Sequence, residues 1–480
     1  MTPGKYSIFR MMIHLKRAYR SLGITAFISL LICASAIAQN ELTVEYVHEK
    51  TQEYFDNQEW NKLIRMGERA LKNGIESYLL RARLGTAYFE LEEYAHAIPH
   101  FRKAVNTGYS DGIIKRNLYY SCMFMGREED ANDVFFDMSD SRQESIKPLT
   151  NDFIYDLAGG GMISGTNDLE RNGDLDLDGG SNEFGEQTLN GSESGFGIGL
   201  SQLPLRWLKI SYAFGYLNSQ REKQYMFGDQ RVSDKYNQKQ GRLFNEFSFR
   251  AAQGLVIYAA GHYVKTSENT TMASFDNLGY TASQSYGLIR GTIPSIRDTL
   301  IEQKDFVLSA TVYRWFSVFR AGISGSFSYL NGEHQTQAGL SLQAFPQKKP
   351  DFFVSATATL HTQNSVSNLI ITPALGYKFG EKFRLEGFGS FGRMGNYNES
   401  NGFVIYNNPD VIKLKYGISL QYDFLFNLTA ALSYTGQQRE KKYSTYTQTA
   451  SGKGTSAFTH VYSTADYSAN SLSLFLRYSF

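Results

Sequence analysis

Residues 352–361 read FFVSATATLH, and in this stretch apolar residues alternate with small or polar ones. A period of two is typical of a β-strand with one apolar face, because successive side chains point to opposite faces. The same alternation recurs over residues 319–329 (FRAGISGSFSY) and 412–422 (IKLKYGISLQY), where Ile412 begins the apolar set. Runs of about ten residues with one apolar and one small or polar face predict tilted membrane-spanning strands with water on the second face.

The connections between these runs favour a barrel. Short links are predicted at residues 202–206, 252–254, 314–317, 346–350, 380–382 and 423–426, with long polar stretches between them. Tight periplasmic turns alternating with long outer loops are typical of outer-membrane barrels. Six short links join twelve strands, and an opening strand near 153–161 and a closing strand at 472–480 bring the prediction to fourteen, within two. The sheet must close, because an open edge in lipid would leave backbone groups unpaired.

The second face of the strands carries charged residues and histidines. We predict that they line the barrel interior, since charges are costly in lipid but not in a water-filled lumen. Two roles remain open for the charges: they bias the selectivity of a pore, or they pair across the barrel and hold it rigid. The predicted set is Lys209, Arg250, His262, Arg320, His361, Arg384, Glu386, Lys413, Lys415 and Arg477.

The closing strand has a distinctive end. Apolar residues alternate from Leu472 through Tyr478 to the terminal Phe480. Chains that end on an aromatic residue after such alternation resemble clients of the bacterial barrel-assembly machinery. The resemblance implies that Tyr478 and Phe480 form the assembly signal and that this machinery is a partner during biogenesis.

The composition excludes two classes of protein. The 480 residues include 48 Lys+Arg and 47 Asp+Glu, without the basic surplus of most nucleic-acid-binding proteins. With 32 Tyr and 34 Phe, the chain is also far from the composition of a disordered protein. Aromatic residues belong at the interfaces of a bilayer, and the 43 Gly fit the wall of a barrel.

The N-terminus predicts export. Basic residues precede an apolar run over 24–38 that ends in Ala36-Ile37-Ala38, which is the pattern of a secretory signal peptide over residues 1–38. Translation could instead begin at Met11 or Met12. A lipoprotein would use Cys33, but Ile32 stands where a small residue is required. Cleavage after Ala38 leaves Cys122 as the single cysteine, which cannot form an intramolecular disulfide.

A 34-residue period follows, in units at about 44–77, 78–111 and 112–145. The middle unit reads Leu84-Gly85-x-x-Tyr88 and then Ala97-x-x-x-Phe101, and in these residues it resembles the tetratricopeptide repeat family. The outer units depart from the pattern, with Thr51 and Tyr119 at the position of Gly85. The resemblance implies a periplasmic domain over 39–150 whose concave face docks a partner. The alternative is that the helices only support the barrel.

Few residues predict chemistry. No nucleophile elbow, phosphate loop or zinc-protease helix is present, so we expect no enzyme, with a hydrolase as a minor alternative. Asp174, Asp176 and Asp178 precede Gly179 as in the first half of a calcium loop. Gly185 stands where the pattern requires a Glu, so the alternative is a solvated acidic outer loop. No other cofactor is expected.

The order of parts predicts an α + β multidomain chain: a short α-solenoid of three repeats, then an antiparallel transmembrane β-barrel over residues 151–480. This layout resembles the surface lipoprotein assembly modifier family, whereas polysaccharide exporters of similar layout have much longer repeat arrays. The resemblance implies an outer-membrane export or assembly factor with a periplasmic protein or glycan client. The alternative is a porin-like or structural protein anchored through its repeats to another envelope component.

Overall fold

The computed structural model describes residues 42–107, 112–138, 156–171, 183–227, 230–274, 295–380, 382–425, 427–449 and 457–479. Two compact units divide the chain, residues 1–87 and 88–480. The predicted domains over 1–38, 39–150 and 151–480 stay predictions. Several predicted features lie outside the described residues, namely the signal peptide, Asp174, Asp176, Asp178 and Phe480.

Six helices precede residue 139 in the described part of the chain. The helices that open each pair begin at residues 44, 78 and 112, and those that close each pair begin at 60, 94 and 128. Both series therefore repeat every 34 residues, as the sequence period does. Assignment of these pairs to the tetratricopeptide family stays a prediction. The helices are α1 (Val44–Asp56), α2 (Trp60–Lys72), α3 (Tyr78–Glu90), α4 (Tyr94–Asn106), α5 (Gly112–Phe124) and α6 (Glu128–Phe136).

Small residues allow close packing between helices. A Cβ at Gly67 of α2 would lie 2.7 Å from Leu84 Cδ2, so any larger residue there would force the Leu84 side chain to shift. In α4, Ala97 and Phe101 are fully buried. In the described part of the chain, every helix is too short or too polar to cross a membrane.

Sixteen strands follow in the described residues. They are β1 (Asp156–Thr166), β2 (Glu183–Leu205), β3 (Leu208–Phe227), β4 (Gln230–Ala252), β5 (Leu255–Ser274), β6 (Ser295–Trp315), β7 (Phe319–Leu330), β8 (Glu333–Ala344), β9 (Phe352–Gln363), β10 (Val366–Phe379), β11 (Phe383–Met394), β12 (Tyr397–Glu399), β13 (Val404–Tyr406), β14 (Val411–Leu425), β15 (Leu428–Thr449) and β16 (Ala457–Ser479). A 3-10 helix at Asp168–Arg171 follows β1.

Fourteen of these strands form a closed antiparallel barrel. Each of β1–β11 and β14–β16 pairs with its neighbours, and β1 closes the sheet against β16 with Gly161 opposite Leu474. The remaining two, β12 and β13, form a separate hairpin. The prediction of a helical domain followed by a fourteen-stranded barrel is confirmed.

The two ends of the barrel differ in their connections. Links of two to seven residues at 206–207, 253–254, 316–318, 345–351, 380–382 and 426–427 share one end, named here the short-link end. At the opposite end long links were expected throughout, and two of those expectations are wrong. Asn331-Gly332 and Asn364-Ser365 are two-residue turns with positive φ at both residues, as in the tight hairpins that match the twist of a sheet.

Several strands are longer than the ten residues that the alternation predicts. The strands β2 to β6, β15 and β16 have 20 to 23 residues. A strand of that length spans about 70 Å, whereas the apolar band of an outer-membrane barrel is about 25 Å tall. The long strands therefore continue beyond the apolar band as polar hairpins.

The barrel exposes apolar side chains on its outer face and buries polar ones inside. Leu340 is 65% exposed and Ile323 is 59% exposed, whereas Gln240 is 2% and Ser390 is fully buried. The prediction for Ile412 is wrong: a register shift between Ile412 and Leu414 turns its side chain inward, where it packs with Ile370, Met394 and Tyr397. Other exposed members of the outer face include Phe196, Ile198, Leu243, Leu308, Leu360, Leu369, Ile418 and Leu474.

Candidate functional site

The barrel interior is crossed by the connection between β11 and β14. Residues 395–410, named here the inner hairpin, contain β12 and β13 and turn through Ser400, Asn401 and Gly402, all with positive φ. A Cβ at Gly402 would lie 3.0 Å from Val307 Cγ1 on β6, so the turn sits close against the barrel wall. The hairpin is therefore a part of the packed interior and not an outer loop.

Hydrogen bonds fix the turn of the inner hairpin to β4, β5 and β6. His262 contacts the Gly402 carbonyl through Nδ1 at 2.9 Å. Asn401 donates to Glu246 Oε2 at 3.0 Å and accepts from Thr311 Oγ1 at 2.7 Å. These groups come from strands that do not precede or follow the hairpin directly, so the hairpin reaches across the barrel.

The base of the inner hairpin is held from the other side. His361 on β9 contacts the Gly395 carbonyl through Nε2 at 2.9 Å, and Asn407 donates to Asp305 at 2.7 Å. The Lys415 ammonium lies between Glu399 and the Tyr406 hydroxyl, at 2.5 and 2.6 Å. A small apolar cluster fills the space beside these contacts, formed by Val264, Val307, Leu330 and Ile405.

A second set of contacts links the 3-10 helix after β1 to the interior. Asp168 is fully buried and pairs with Lys441 at 2.6 Å. Asp168 also accepts hydrogen bonds from the Asn190 backbone and side chain, and the Asn190 side chain donates to Asp410 at 2.9 Å. The end of the inner hairpin and the 3-10 helix are thus joined through one asparagine.

At the short-link end, helix α6 places its acidic residues against basic residues of the barrel. We name this set the mouth cluster; it comprises Glu128, Glu129, Asp130 and Asp133 of α6 with Arg206, Lys209, Arg250 and Arg477 of the barrel. Three of the carboxylates lie in the first turn of α6, where the helix dipole favours negative charge.

Glu128 and Asp130 each form an ion pair with a basic residue of a barrel strand. Lys209 Nζ donates to Glu128 at 2.7 Å, and Arg477 lies 3.6 Å from the same carboxylate. Arg250 Nε donates to Asp130 at 3.0 Å, and the Gly254 backbone N–H also donates to this carboxylate at 3.1 Å. The barrel thus offers both charged and backbone donors to one turn of helix.

The other two acids complete the contact. Glu129 accepts hydrogen bonds from Ser248 at 2.7 Å and from the Tyr258 hydroxyl at 3.1 Å. Asp133 accepts from Arg250 Nη2 at 3.0 Å and lies 3.6 Å from Arg206. Four acids within six residues therefore contact strands β2 to β5 and β16 or their links.

The ion pairs shift the acidity of α6. Lys209 holds the pKa of Glu128 at about 2, with burial opposing this and Arg477 adding to it. Burial raises the pKa of Asp130, but Arg127 and Arg102 outweigh it, so the pKa lies below its usual value. Both carboxylates are therefore ionised at neutral pH, as the ion pairs require.

The residues predicted to line the interior fall in different places. Lys209, Arg250 and Arg477 belong to the mouth cluster, whereas His262, His361 and Lys415 contact the inner hairpin. Of the two roles left open for the charges, pairing fits these contacts of Lys209, Arg250, Lys415 and Arg477.

Four predicted residues lie apart from these groups. The Arg320 guanidinium stacks over the rings of Tyr313 and Trp315 at 4.7 and 5.1 Å. Arg384 and Glu386 are half-buried on β11, on the same face as the buried Ser390. Lys413 lies at the register shift of β14 and pairs with Glu440 and the exposed Asp466, both at 2.8 Å, so it does not share the placement of Lys415.

Two predicted signals remain, the assembly signal at the end of β16 and the calcium loop. Tyr478 is 41% exposed on β16, opposite Leu157 and Leu428. In the described part of the chain, no cluster of three His, Cys, Asp or Glu residues could hold a metal ion. The predicted calcium ligands lie outside that part.

Sequence reasoning missed the two segments that contact the barrel from within or at its end, the inner hairpin and α6. The acids of α6 occur as EEDAND at 128–133, a run that also fits a solvated helix start. The inner hairpin occurs as GNYNESNGFVIYNNPD at 395–410, where Gly and Asn indicate turns but not an inward fold. The acidic run and the turn residues are visible in the sequence, but neither pattern identifies the strands that these segments contact.

No protein-family model matches the chain, and no curated protein matches it in sequence. Among solved structures, the toluene transporter TodX of Pseudomonas putida is similar over 69% of this chain and 91% of its own, with 10% identity and a TM-score of 0.42. A FadL homologue of Pseudomonas aeruginosa covers 68% and 90%, with 9% identity and a TM-score of 0.42.

The translocator domain of the autotransporter NalP from Neisseria meningitidis is also similar, over 75% of this chain and 99% of its own, with 9% identity and a TM-score of 0.28. Resemblance this distant identifies neither a function nor a ligand for this chain.

Proposed function

We propose that the protein is an outer-membrane export or assembly factor of bacteria, in which a periplasmic helical domain controls access to a closed barrel. The observation that carries the proposal is the mouth cluster. Helix α6 is continuous with the helical repeats in sequence, and its acids pair with basic residues of three strands and a link at one end of the barrel. Movement of α6 would therefore change the barrel mouth directly.

The outer face supports placement in a membrane. Aliphatic and aromatic side chains on neighbouring strands are 40 to 65% exposed, and an apolar surface this extensive is unfavourable in water. The short links lie at the end that carries α6, which is the periplasmic end in outer-membrane barrels. Outer-membrane lipid would then be one partner, and the barrel-assembly machinery would act through β16 during biogenesis.

The interior argues against a passive porin. The inner hairpin contacts β4 to β7, β9 and β14, and its apolar cluster is almost fully buried. A permanently open channel requires a continuous water-filled path, and the inner hairpin occupies part of the space for such a path. The contacts of the inner hairpin also favour a second candidate. This is a structural outer-membrane protein that is anchored through its repeats to another envelope component and never opens.

Conductance of the full-length protein in planar bilayers distinguishes these candidates. We expect low conductance for the wild type and a clear increase for the triple variant E128Q/D130N/D133N, because α6 loses its ion pairs with the mouth. The matched control is Lys413→Gln, which removes a cation whose partners lie elsewhere. A closed triple variant that still inserts as a folded barrel would contradict gating and favour the structural role, whereas a large open pore in the wild type would favour a porin.

A client is tested by photo-crosslinking in cells from a reactive residue at Phe124, which is 47% exposed on α5. Recovery of one exported protein or glycan would support the export proposal. Recovery of envelope scaffold proteins alone would contradict it. Cell fractionation of the same strain checks the location, which we expect to be the outer membrane.

A further inference from the structure

Two basic residues of the mouth cluster, Arg206 and Arg250, form ion pairs with carboxylates of α6. Arg250 pairs with Asp130 and Asp133, and Arg206 approaches Asp133. The barrel itself supplies Asp156, which lies 2.7 Å from Arg477 and 3.7 Å from Lys209, and Glu246, which interacts electrostatically with Lys209. Without α6 the mouth would therefore keep four cations, and Arg250 would have no ion pair with a carboxylate among the described residues.

Both α6 and the barrel keep ion pairs of their own when the contact between them is broken. On the helical side Asp130 retains Arg127 at 2.5 Å and Arg102 at 3.2 Å, so its charge stays compensated away from the barrel. On the barrel side Asp156 stays with Lys209 and Arg477. Arg250 alone loses every carboxylate partner seen in the described residues. Separation of α6 from the barrel thus leaves a basic site at the mouth that can bind an anion.

Resting on the proposed function, we propose that the barrel mouth is a binding site for an acidic segment of the client protein, which α6 occupies as an internal substitute. The site is suited to carboxylates carried on a peptide. Arg250 binds two carboxylates three residues apart, and the Gly254 N–H, the Ser248 hydroxyl and the Tyr258 hydroxyl supply neutral donors between the charges. A client segment with three or four acids within six residues would present the same groups.

The test uses the full-length protein in lipid nanodiscs and a labelled peptide of residues 126–138 as the probe. The matched control peptide replaces Glu128, Glu129, Asp130 and Asp133 by their amides. In a Cys122→Ser background, Glu129→Cys and Ser248→Cys are joined by a short reducible thiol crosslinker, since these side chains touch at 2.7 Å. The same preparation is then measured with the crosslink intact (locked) and after its reduction (released). A difference in binding between the two states therefore does not come from a difference in folding.

We expect the acidic peptide to bind the released protein at least about tenfold more tightly than the locked protein, and the amide peptide to bind neither. Arg250→Gln should abolish this difference, whereas Lys413→Gln should retain it. Equal binding to the locked and released states, or equal binding of the two peptides, would overturn the proposal. Competition by polygalacturonate as strong as by the acidic peptide would overturn the assignment to a peptide.

The outcome is separable from that of the proposed function. If the triple variant E128Q/D130N/D133N raises conductance but the peptide does not bind the released protein, gating stands and the acidic-client site is wrong. If the peptide binds in the released state but the triple variant stays closed, the site stands and gated transport is wrong.

Discussion

Two segments contact the barrel strands, helix α6 and the inner hairpin, and their contacts differ in chemistry. At the short-link end, α6 is held by ion pairs with residues more than 70 positions away in sequence. The inner hairpin is held mostly by neutral hydrogen bonds and a small apolar cluster, and it connects two strands that are neighbours in the barrel. Ion pairs weaken with salt and acid, whereas buried apolar contacts do not. The contacts of α6 are thus suited to release, and those of the inner hairpin are suited to permanent attachment.

The largest expected effect comes from Asp130→Asn. This change leaves Arg250, Arg127 and Arg102 without a buried carboxylate, and loss of one partner of a buried ion pair costs about 3–5 kcal/mol. The free energy of unfolding, measured by urea titration in lipid vesicles, should fall accordingly.

The control for this comparison is Asp137→Asn just after α6, where the carboxylate is 62% exposed and pairs with Lys115. Its effect should be below about 1 kcal/mol. Equal losses for the two variants would show that the mouth cluster is no more important than an exposed pair.

Acid should weaken the mouth cluster before the inner hairpin. The pKa of Glu128 is about 2 in the folded protein and near 4.5 when unpaired. A depressed pKa contributes stability that is complete above pH 4.5 and lost as the pH falls toward 2, in total on the order of 3 kcal/mol. Protease accessibility of α6 should rise over this range while the barrel stays folded.

In Glu128→Gln this contribution is absent at every pH, so its α6 should be more accessible at neutral pH and less sensitive to acid. An unchanged acid profile in this variant would assign the effect to other carboxylates.

The inner hairpin should respond to shape and not to charge. Gly402→Ala adds a Cβ 3.0 Å from Val307 Cγ1 at a φ of +81°, and we expect a loss of about 1–3 kcal/mol. Gly332→Ala is the matched control, since its φ is +79° but nothing lies within 4 Å of the new atom. It should lose only the backbone strain of about 1–2 kcal/mol. If both variants lose the same stability, the turn does not pack against the wall.

The smallest effect is expected for Lys413→Gln. Its ion pairs with Glu440 and Asp466 lie apart from the mouth cluster and the inner hairpin. Exposed pairs contribute about 0–1 kcal/mol to the free energy of unfolding. Unfolding and conductance should match the wild type. A change in conductance would place Lys413 on the transport path and remove it as a control.

Much of the fold follows from local patterns. The alternation at 352–361 predicts β9, and the 34-residue period predicts the starts of the paired helices. The pattern failed at Ile412, because one extra residue in β14 reverses the faces on either side of it, and alternation carries no sign of such a bulge. It failed also at Asn331-Gly332, where a tight turn replaces a predicted long loop.

The candidate site was predicted only in part. Lys209, Arg250 and Arg477 were identified as charges on the polar face, yet their partners on α6 were not, because nothing in a strand's alternation shows what fills the end of a barrel. His262 and His361 were likewise assigned to a wet wall. Both contact the inner hairpin, and His361 is 2% exposed.

The sequence by itself determined the strand and helix periods, the closed fourteen-stranded barrel and the polarity of its two faces, because each follows from spacing along a few residues. The tertiary structure decided that α6 packs against one end of the barrel and that the inner hairpin crosses the lumen. Asp130 and Arg250 are 120 residues apart, and only the folded barrel brings a carboxylate and a guanidinium that distant in sequence to 3.0 Å. Charge pairing across such separations depends on geometry that no local pattern contains.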